Sequence, residues 1–263
     1  MRKSILALLL GLVHLLAGCV VYMPMQCAAP QITDKKQVEV TASTYLNGRV
    51  EIAGTYSPVR HLLVRAAYSN LRGNSQDSTY YRGHQYDFGV GTYWRLGDKW
   101  LVGGLGGLGR AQSAAAYSTG GIIFGYPTPH EFDVHYNKVF GEVYGTLQAS
   151  PTVSLGVAYR VTQVNFTTLT DLANPIDLSN MTRSEPMIFM RVRPGNGPAE
   201  NRPVQLQASW GTSDTFGYNT RDRTISYPPE VRELKQGRSY FTVGVTVFPH
   251  CLFRQAQSKT ERR

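Results

Sequence analysis

The chain contains few of the patterns on which membrane helices and common enzymes depend. Charged residues make up only 17% of its 263 residues, and no segment after residue 19 is apolar for 18 residues, which excludes a transmembrane helix. The Cys-x-x-Cys, His-Glu-x-x-His and Gly-x-Ser-x-Gly patterns are missing, as is the lysine of a phosphate-binding glycine loop. We therefore expect a protein that is not an enzyme, with no cofactor and no metal site.

Tyrosine and glycine are abundant instead. The chain has 16 Tyr and 26 Gly, a composition that with low charge is unlike a helical protein and favours an all-β fold. The net charge is +9, and much of this excess lies in the N-terminal leader and in a basic tail over residues 250–263. Such a tail suits anionic lipid head groups or plain solvent, so we expect no nucleic-acid partner.

The first 18 residues have the order of a secretory signal peptide. Arg2 and Lys3 precede a mostly apolar run, Ile5 to Leu16, which is too short to span a bilayer. The run ends in Leu16-Ala17-Gly18-Cys19, which resembles the lipobox of bacterial lipoproteins. The resemblance implies that Cys19 is acylated, as with palmitate, and that residues 19–36 form a lipid-anchored segment. The alternative is an ordinary signal peptide that happens to contain a cysteine.

Residues 37–249 read as short alternating runs between turn signals. Val153 to Val161 and Phe241 to Val247 are clear examples, in which apolar and polar or small residues alternate. About ten such strands occur, and no convincing amphipathic helix accompanies them. We predict one domain, an up-and-down antiparallel β-barrel of about ten strands.

The connections between these strands alternate in length. After a short Asn47-Gly48 hairpin turn, short turns join strands two to three, four to five, six to seven and eight to nine. The other connections are predicted to be long: Asn70–Thr79, Ser113–Glu131, Thr167–Glu185 and Ser213–Arg238. Bacterial outer-membrane barrels have short periplasmic turns and long outside loops. An even strand count then puts both barrel termini, and a lipid on Cys19, on the periplasmic side.

One face of the predicted strands is apolar and the other carries charges. We predict that these charges fill the barrel interior: Glu51, Arg65, Asp87, Arg95, Glu142, Arg160, Arg191 and Arg193. Aromatic residues near strand ends suit interfacial girdles: Tyr45, Tyr56, Tyr68, Trp94, Trp100, Tyr159, Trp210 and Tyr240. The inverse arrangement stays open, in which the apolar face is the core of a soluble, lipid-tethered barrel.

Two cysteines remain if Cys19 is acylated. Cys27 and Cys251 bracket the predicted first and last strands, which are neighbours in a closed barrel. An oxidising compartment allows a disulfide between them, and two separate thiols are the alternative.

Several stretches together resemble uncharacterised lipoproteins of Bacteroidota. They are Val21-Tyr22-Met23-Pro24, Tyr56-Ser57-Pro58 with His61, Phe88-Gly89-Val90-Gly91 and Leu105-Gly106-Gly107-Leu108-Gly109. Those proteins are regarded as outer-membrane β-barrel-like, and the resemblance implies that fold but no activity. Val20-Val21-Tyr22 stands where an acidic surface-export signal would follow Cys19, so the resemblance implies an anchor that faces the periplasm.

These observations predict a non-enzymatic lipoprotein of the outer membrane whose long loops serve structural or binding roles. Its partners would be outer-membrane lipid and, through the loops, other envelope proteins or a small ligand. The loop residues suited to binding are Tyr80, Tyr81, Arg82, Tyr117, Tyr126, Tyr218, Arg221, Arg223 and Tyr227. The alternatives are a small channel, a soluble tethered barrel for an apolar ligand, and a lipid-modifying enzyme that uses His61. A metal site at His130 and His135 is a further, weaker alternative.

Overall fold

The computed structural model describes residues 21–73, 79–119, 128–195, 202–218 and 227–252. Its elements are β1 (Val38–Tyr45), β2 (Val50–Tyr56), β3 (Leu63–Leu71), β4 (Tyr80–Leu96), β5 (Trp100–Thr119), β6 (Thr128–Gln148), β7 (Val153–Asp171), β8 (Asn174–Pro175), β9 (Asn180–Val192), β10 (Val204–Thr215), α1 (Pro229–Lys235) and β11 (Arg238–Val247). In the described ranges, no helix has the length and apolar character needed to span a membrane.

The strands form one closed antiparallel sheet. Consecutive strands pair along the chain, β7 pairs with β9, and β11 returns to pair with β1, so that Val247 lies opposite Val40. The two-residue strand β8 only extends the edge of β7. The architecture is thus an up-and-down barrel of ten strands, which confirms the predicted fold class.

The strands differ greatly in length. β1, β2 and β3 have 8, 7 and 9 residues, whereas β4 to β7 have 17, 20, 21 and 19. Much of two predicted long loops is therefore strand, because β5 and β6 cover most of 113–131, and β7 and β9 cover most of 167–185. The barrel wall is low along β1–β3 and tall along β4–β7.

The two ends of the barrel are distinct. We call the end that carries the turns at residues 57–62, 97–99 and 149–152 the short-turn end. β1 starts and β11 finishes there, as expected for an even number of strands. The opposite end, which carries the connections after β3, β5, β7 and β10, is called the long-loop end.

Glycines on the inner face make room for aromatic side chains of the neighbouring strand. Gly103 lies opposite Tyr144, Gly107 opposite Phe140, Gly156 opposite Phe189 and Gly211 opposite Tyr240. A Cβ atom at Gly107 would lie 2.6 Å from the Phe140 ring and closer still to the Phe88 carbonyl oxygen of β4. These glycines let large inner side chains lie flat against the wall of a narrow barrel.

We expect Gly107→Val to destabilise the barrel by about 1–3 kcal/mol, because the added methyl groups overpack against Phe140 and the β4 backbone. Urea unfolding measures this. Gly141→Val is the matched control, since Gly141 faces outward and nothing lies within 4 Å of its position for a Cβ. Equal effects of the two substitutions would contradict the packing role of Gly107.

Candidate functional site in the barrel lumen

The inner face of the barrel is charged near the short-turn end and the outer face is apolar. Six of the predicted interior charges are buried: Glu51, Arg65, Asp87, Glu142, Arg160 and Arg191. Arg193 is only partly buried. Arg95 is exposed, contrary to the prediction, because it lies where β4 reaches the open mouth at the short-turn end. Near this end the lumen is lined by charges, unlike the apolar lining that would hold an apolar ligand in a soluble lipocalin-like barrel.

The buried charges form a compact network. Arg160 lies 2.6 Å from Glu142 and 3.4 Å from Asp87, and Lys138 lies 2.8 Å from the other oxygen of Asp87. Arg65 faces Glu51 at 3.7 Å. Because each charge is almost fully removed from solvent, each needs these partners to remain charged inside the barrel.

The N-terminal residues 21–32, which we call the lumen segment, run through the inside of the barrel. Met23, Met25, Cys27 and Ile32 are at most 2% exposed. The segment contains Pro24 and Pro30 and pairs with no strand, so its backbone depends on barrel side chains for hydrogen bonds.

Three buried carboxylates accept hydrogen bonds from the backbone of the lumen segment. Glu51 of β2 accepts from Gln26 N at 3.2 Å, and Glu142 of β6 accepts from Ala28 N at 3.1 Å. Glu39 of β1 accepts from Gln31 N at 2.7 Å. Strands on different sides of the barrel therefore hold the same short stretch of chain.

Donor side chains complete the set by binding the carbonyl groups. Arg49 donates to Pro24 O at 2.6 Å, Gln85 to Met23 O at 2.8 Å, and Ser113 to Val21 O at 2.6 Å. Arg191 donates to Ala29 O at 2.5 Å. The lumen charges therefore pair with the backbone of the segment as well as with one another.

Little space is left beside the lumen segment. The cavity lined by Gln26, Cys27, Glu39 and Glu51 has a volume of about 30 Å³, roughly the share of one water molecule. A larger cavity of about 460 Å³ lies at the short-turn mouth, lined by Gln31, Arg95 and His250 among others. The barrel is therefore open at that mouth and filled in its middle.

The lumen segment runs from the long-loop end to the short-turn end. Val21 and Tyr22 pack with Phe132 and Tyr136 at the start of β6, whereas Ile32 packs with Leu63 at the start of β3. An N-terminus at the short-turn end, beside β1 and β11, was predicted from the sequence. That expectation is wrong for residues 21 and 22, because the chain before β1 folds back through the barrel.

The outer face near the short-turn end is an apolar belt. Its side chains are 39–61% exposed and include Ile52, Val64, Phe88, Val90, Leu108, Val139, Val143, Leu155, Val157, Ile188, Met190, Leu206, Val243 and Val245. Six of the eight predicted girdle aromatics lie on the outer face: Tyr56, Tyr68, Trp94, Trp100, Tyr159 and Trp210. Tyr45 and Tyr240 do not, because both are buried in the lumen.

The polarity of the two faces inverts along the tall strands. On β6 the outward residues Val139 and Val143 lie in the belt, but toward the long-loop end the outward residues are Glu131, Asp133 and Asn137. The inward residues change in the opposite sense, from Glu142 and Lys138 to an apolar cluster with Phe132, Val134 and Tyr136. β7 and β9 contribute Val164, Leu169 and Met181 to the same cluster. The outward side chains of β6 thus change from apolar to polar along the strand.

The two cysteines are buried in different places. Cys27 lies in the lumen with its Sγ 3.5 Å from Glu185 O, and Cys251 lines the short-turn mouth. Both are thiols, and the disulfide that the sequence allowed is not formed. Cys19 and the rest of the signal peptide lie outside the described residues.

The histidines have structural contacts. His61 adopts a positive φ of 64°, bonds Tyr93 O through Nδ1 at 2.7 Å and stacks on Trp94. His130 lies 2.6 Å from Asp171, which joins β6 to β7. His130 faces the lumen and His135 faces outward, so they cannot share one metal. Among the described residues, no group of three His, Cys, Asp or Glu side chains is placed to hold a metal ion.

The predicted binding residues of the long loops lie in different parts of the structure, and several belong to strands. Tyr80, Tyr81 and Arg82 belong to β4, and Tyr117 is buried. Tyr80 donates to Glu131 at 3.2 Å; its partial burial and the nearby carboxylate raise the pKa of the phenol. Tyr218 packs on Tyr227 next to α1. Tyr126, Arg221 and Arg223 lie outside the described residues.

These features define a closed ten-stranded barrel whose own N-terminal segment fills the lumen. No protein-family model matches the sequence, and no curated protein matches it. Among solved structures, the chain is similar to the outer membrane protease OmpT from Escherichia coli, with 8% identity, a TM-score of 0.45, and coverage of 82% of this chain and 94% of that chain. It is also similar to the translocator domain of the autotransporter NalP from Neisseria meningitidis, with 14% identity, a TM-score of 0.38, and coverage of 80% and 86%.

Proposed function

We propose that the chain is an outer-membrane β-barrel, closed by its own lumen segment, that serves a structural or binding role rather than an enzymatic one. The observation that carries this proposal is the inversion of polarity along the tall strands. A soluble barrel keeps polar residues outward along its whole length, whereas here apolar side chains face outward in one zone only. The inversion is accounted for if that zone lies in lipid and the remainder in water.

The height of the apolar belt supports this placement. On β6 the outward apolar run extends over about nine residues, from Val139 to Leu147. At ~3.3 Å per residue and a strand tilt of about 40°, nine residues rise about 23 Å, close to the ~25 Å apolar band of outer-membrane barrels. The short turns then lie in the periplasm, and the upper parts of β4–β7 project beyond the membrane.

The lumen segment favours a closed barrel over a channel. Its backbone bonds with Glu51, Glu142 and Arg191 cross the lumen, and the charges that would line a water-filled pore are already paired. The projecting strands present polar outward surfaces, with Glu131, Asp133 and Asn137 on β6, and these are where we place a binding role. The acyl anchor on Cys19 is part of the same proposal and supplements a barrel that already lies in the membrane.

The membrane placement predicts that Val143→Arg destabilises the barrel in lipid by about 2–4 kcal/mol, because Val143 faces outward near the middle of the belt. Asn137→Arg, on the same strand and the same face but beyond the belt, should cost at most about 1 kcal/mol.

Urea unfolding in vesicles and the fraction of heat-modifiable, folded protein in outer-membrane preparations measure both variants. Equal stability of the Val143→Arg and Asn137→Arg variants would contradict the embedded barrel. Recovery of a chain with the single substitution Cys19→Ser in the soluble fraction would contradict it as well.

A further inference from the structure

The direction of the lumen segment determines at which end of the barrel the mature chain begins. Val21 O accepts a hydrogen bond from Ser113 at 2.6 Å, and the Tyr22 and Tyr136 rings lie 5.7 Å apart. Ser113 is beyond Leu108, the outward belt residue of β5, on the side of the long-loop end. The first described residues therefore lie past the belt, at the level where the outer face has become polar.

The height of the barrel wall differs between its two sides at this level. Pro24 is held by Arg49, which follows the β1–β2 turn, and Met23 is held by Gln85 of β4. β1, β2 and β3 end near this height, but β4 to β7 continue and pack against Val21 and Tyr22. Residues 21 and 22 thus pack against the tall wall, where they are 4% and 5% exposed.

We infer that the mature N-terminus, with any acyl group on Cys19, leaves the barrel at the long-loop end, and that the acyl group inserts into the outer leaflet of the membrane. This inference rests on the proposed membrane placement. Cys19 is two residues before Val21, and two residues span at most about 7 Å. The inner leaflet lies across an apolar belt about 25 Å high, which that length cannot cross. The partner of the acyl group is therefore outer-leaflet lipid.

An epitope inserted between Val20 and Val21 tests the inference on intact cells. Two controls carry the same epitope, one at Gly97 in the short turn after β4 and one in the connection between β3 and β4. We expect antibody to bind the N-terminal and β3–β4 epitopes on intact cells, and the Gly97 epitope only after the outer membrane is permeabilised.

An N-terminal epitope that needs permeabilisation, while the β3–β4 epitope does not, would overturn the inference and leave the proposed function intact. If the β3–β4 epitope also needs permeabilisation, the membrane placement itself fails, and the inference with it.

A second measurement avoids the insertion, which could disturb folding. In a chain with Cys27→Ser and Cys251→Ser, a short bifunctional thiol reagent should cross-link the pair Val21→Cys and Ser113→Cys in the folded barrel, because Ser113 Oγ lies 2.6 Å from the Val21 carbonyl oxygen. Mass spectrometry of the digested protein detects the linked peptides and the acyl groups on Cys19. A folded barrel in which both cysteines react with the reagent but stay unlinked to each other would overturn the path of the segment.

Discussion

Deletion of residues 21–29 should turn a non-conducting barrel into a pore. The deleted residues fill the middle of the lumen, where the cavity beside Gln26 and Cys27 has a volume of only about 30 Å³. Their removal leaves Glu51, Glu142 and Arg191 facing open space. A lumen lined by charges fills with water and conducts ions. In planar bilayers we expect steady unitary currents from the deletion variant and none from the intact chain.

Gln26→Ala is the matched control for this deletion. This substitution removes the side-chain contacts of Gln26 with Ser43 and Ser209 but leaves the segment in place, so the variant should give no unitary currents. Heat-modifiable migration on gels shows whether each variant forms the barrel. Steady unitary currents from the intact chain would contradict a closed lumen, and a folded deletion variant without currents would show that other residues close it.

Replacement of Arg160 by leucine should destabilise the barrel by about 3–5 kcal/mol. Arg160 is 1% exposed and lies between Glu142 and Asp87, at 2.6 and 3.4 Å. Its loss leaves two buried carboxylates with one nearby cation, Lys138, and also removes the stacking of the guanidinium on Phe140. Urea unfolding in vesicles measures the change in the free energy of unfolding.

Arg95→Leu is the control for Arg160→Leu. Arg95 was predicted from the sequence as an equivalent interior charge, but it is exposed at the short-turn mouth, so its replacement should change stability by less than about 0.5 kcal/mol. Similar effects of the two substitutions would mean that the buried network contributes no more to stability than a surface charge does.

The half of the barrel nearer the short-turn end could be predicted from the sequence, because its strands follow one alternating pattern of apolar and polar residues. Where strands cross the belt, apolar residues such as Leu155 and Val157 alternate with inward Ser154 and Arg160, and the alternation predicts both the strands and their charged face. Short turns mark where these strands end. The predicted fold class and strand number follow from this region.

The half of the barrel nearer the long-loop end was not predicted, because the polarity of the inner and outer faces inverts there. On β6 and β9 the outward residues there are polar, as in Asp133 and Ser184, whereas the inward ones include the apolar Phe132 and Met181. The phase of the alternation changes within a strand, so a search for one continuous pattern ends the strand too early. Glu185 and Arg183, which bond inside the lumen, were therefore assigned to a loop.

The lumen segment also lacked a recognised signal. It has two prolines, no alternation and no glycine, so nothing in it predicts a strand or a turn. One feature could have shown that it is buried: no charged residue occurs from Val20 to Thr33, and Asp34, Lys35 and Lys36 follow directly. The carboxylate partners of its backbone cannot be read from any spacing, since Glu39, Glu51 and Glu142 meet only in the closed barrel.

The same three carboxylates hold a segment that the closed sheet surrounds. Glu39, Glu51 and Glu142 belong to β1, β2 and β6, and each accepts an N–H group that the barrel strands do not supply. Because β1 pairs with β11, the sheet is a continuous ring with no gap in its side between these strands. In the folded barrel the segment can therefore enter or leave the lumen only by sliding through one of the two ends.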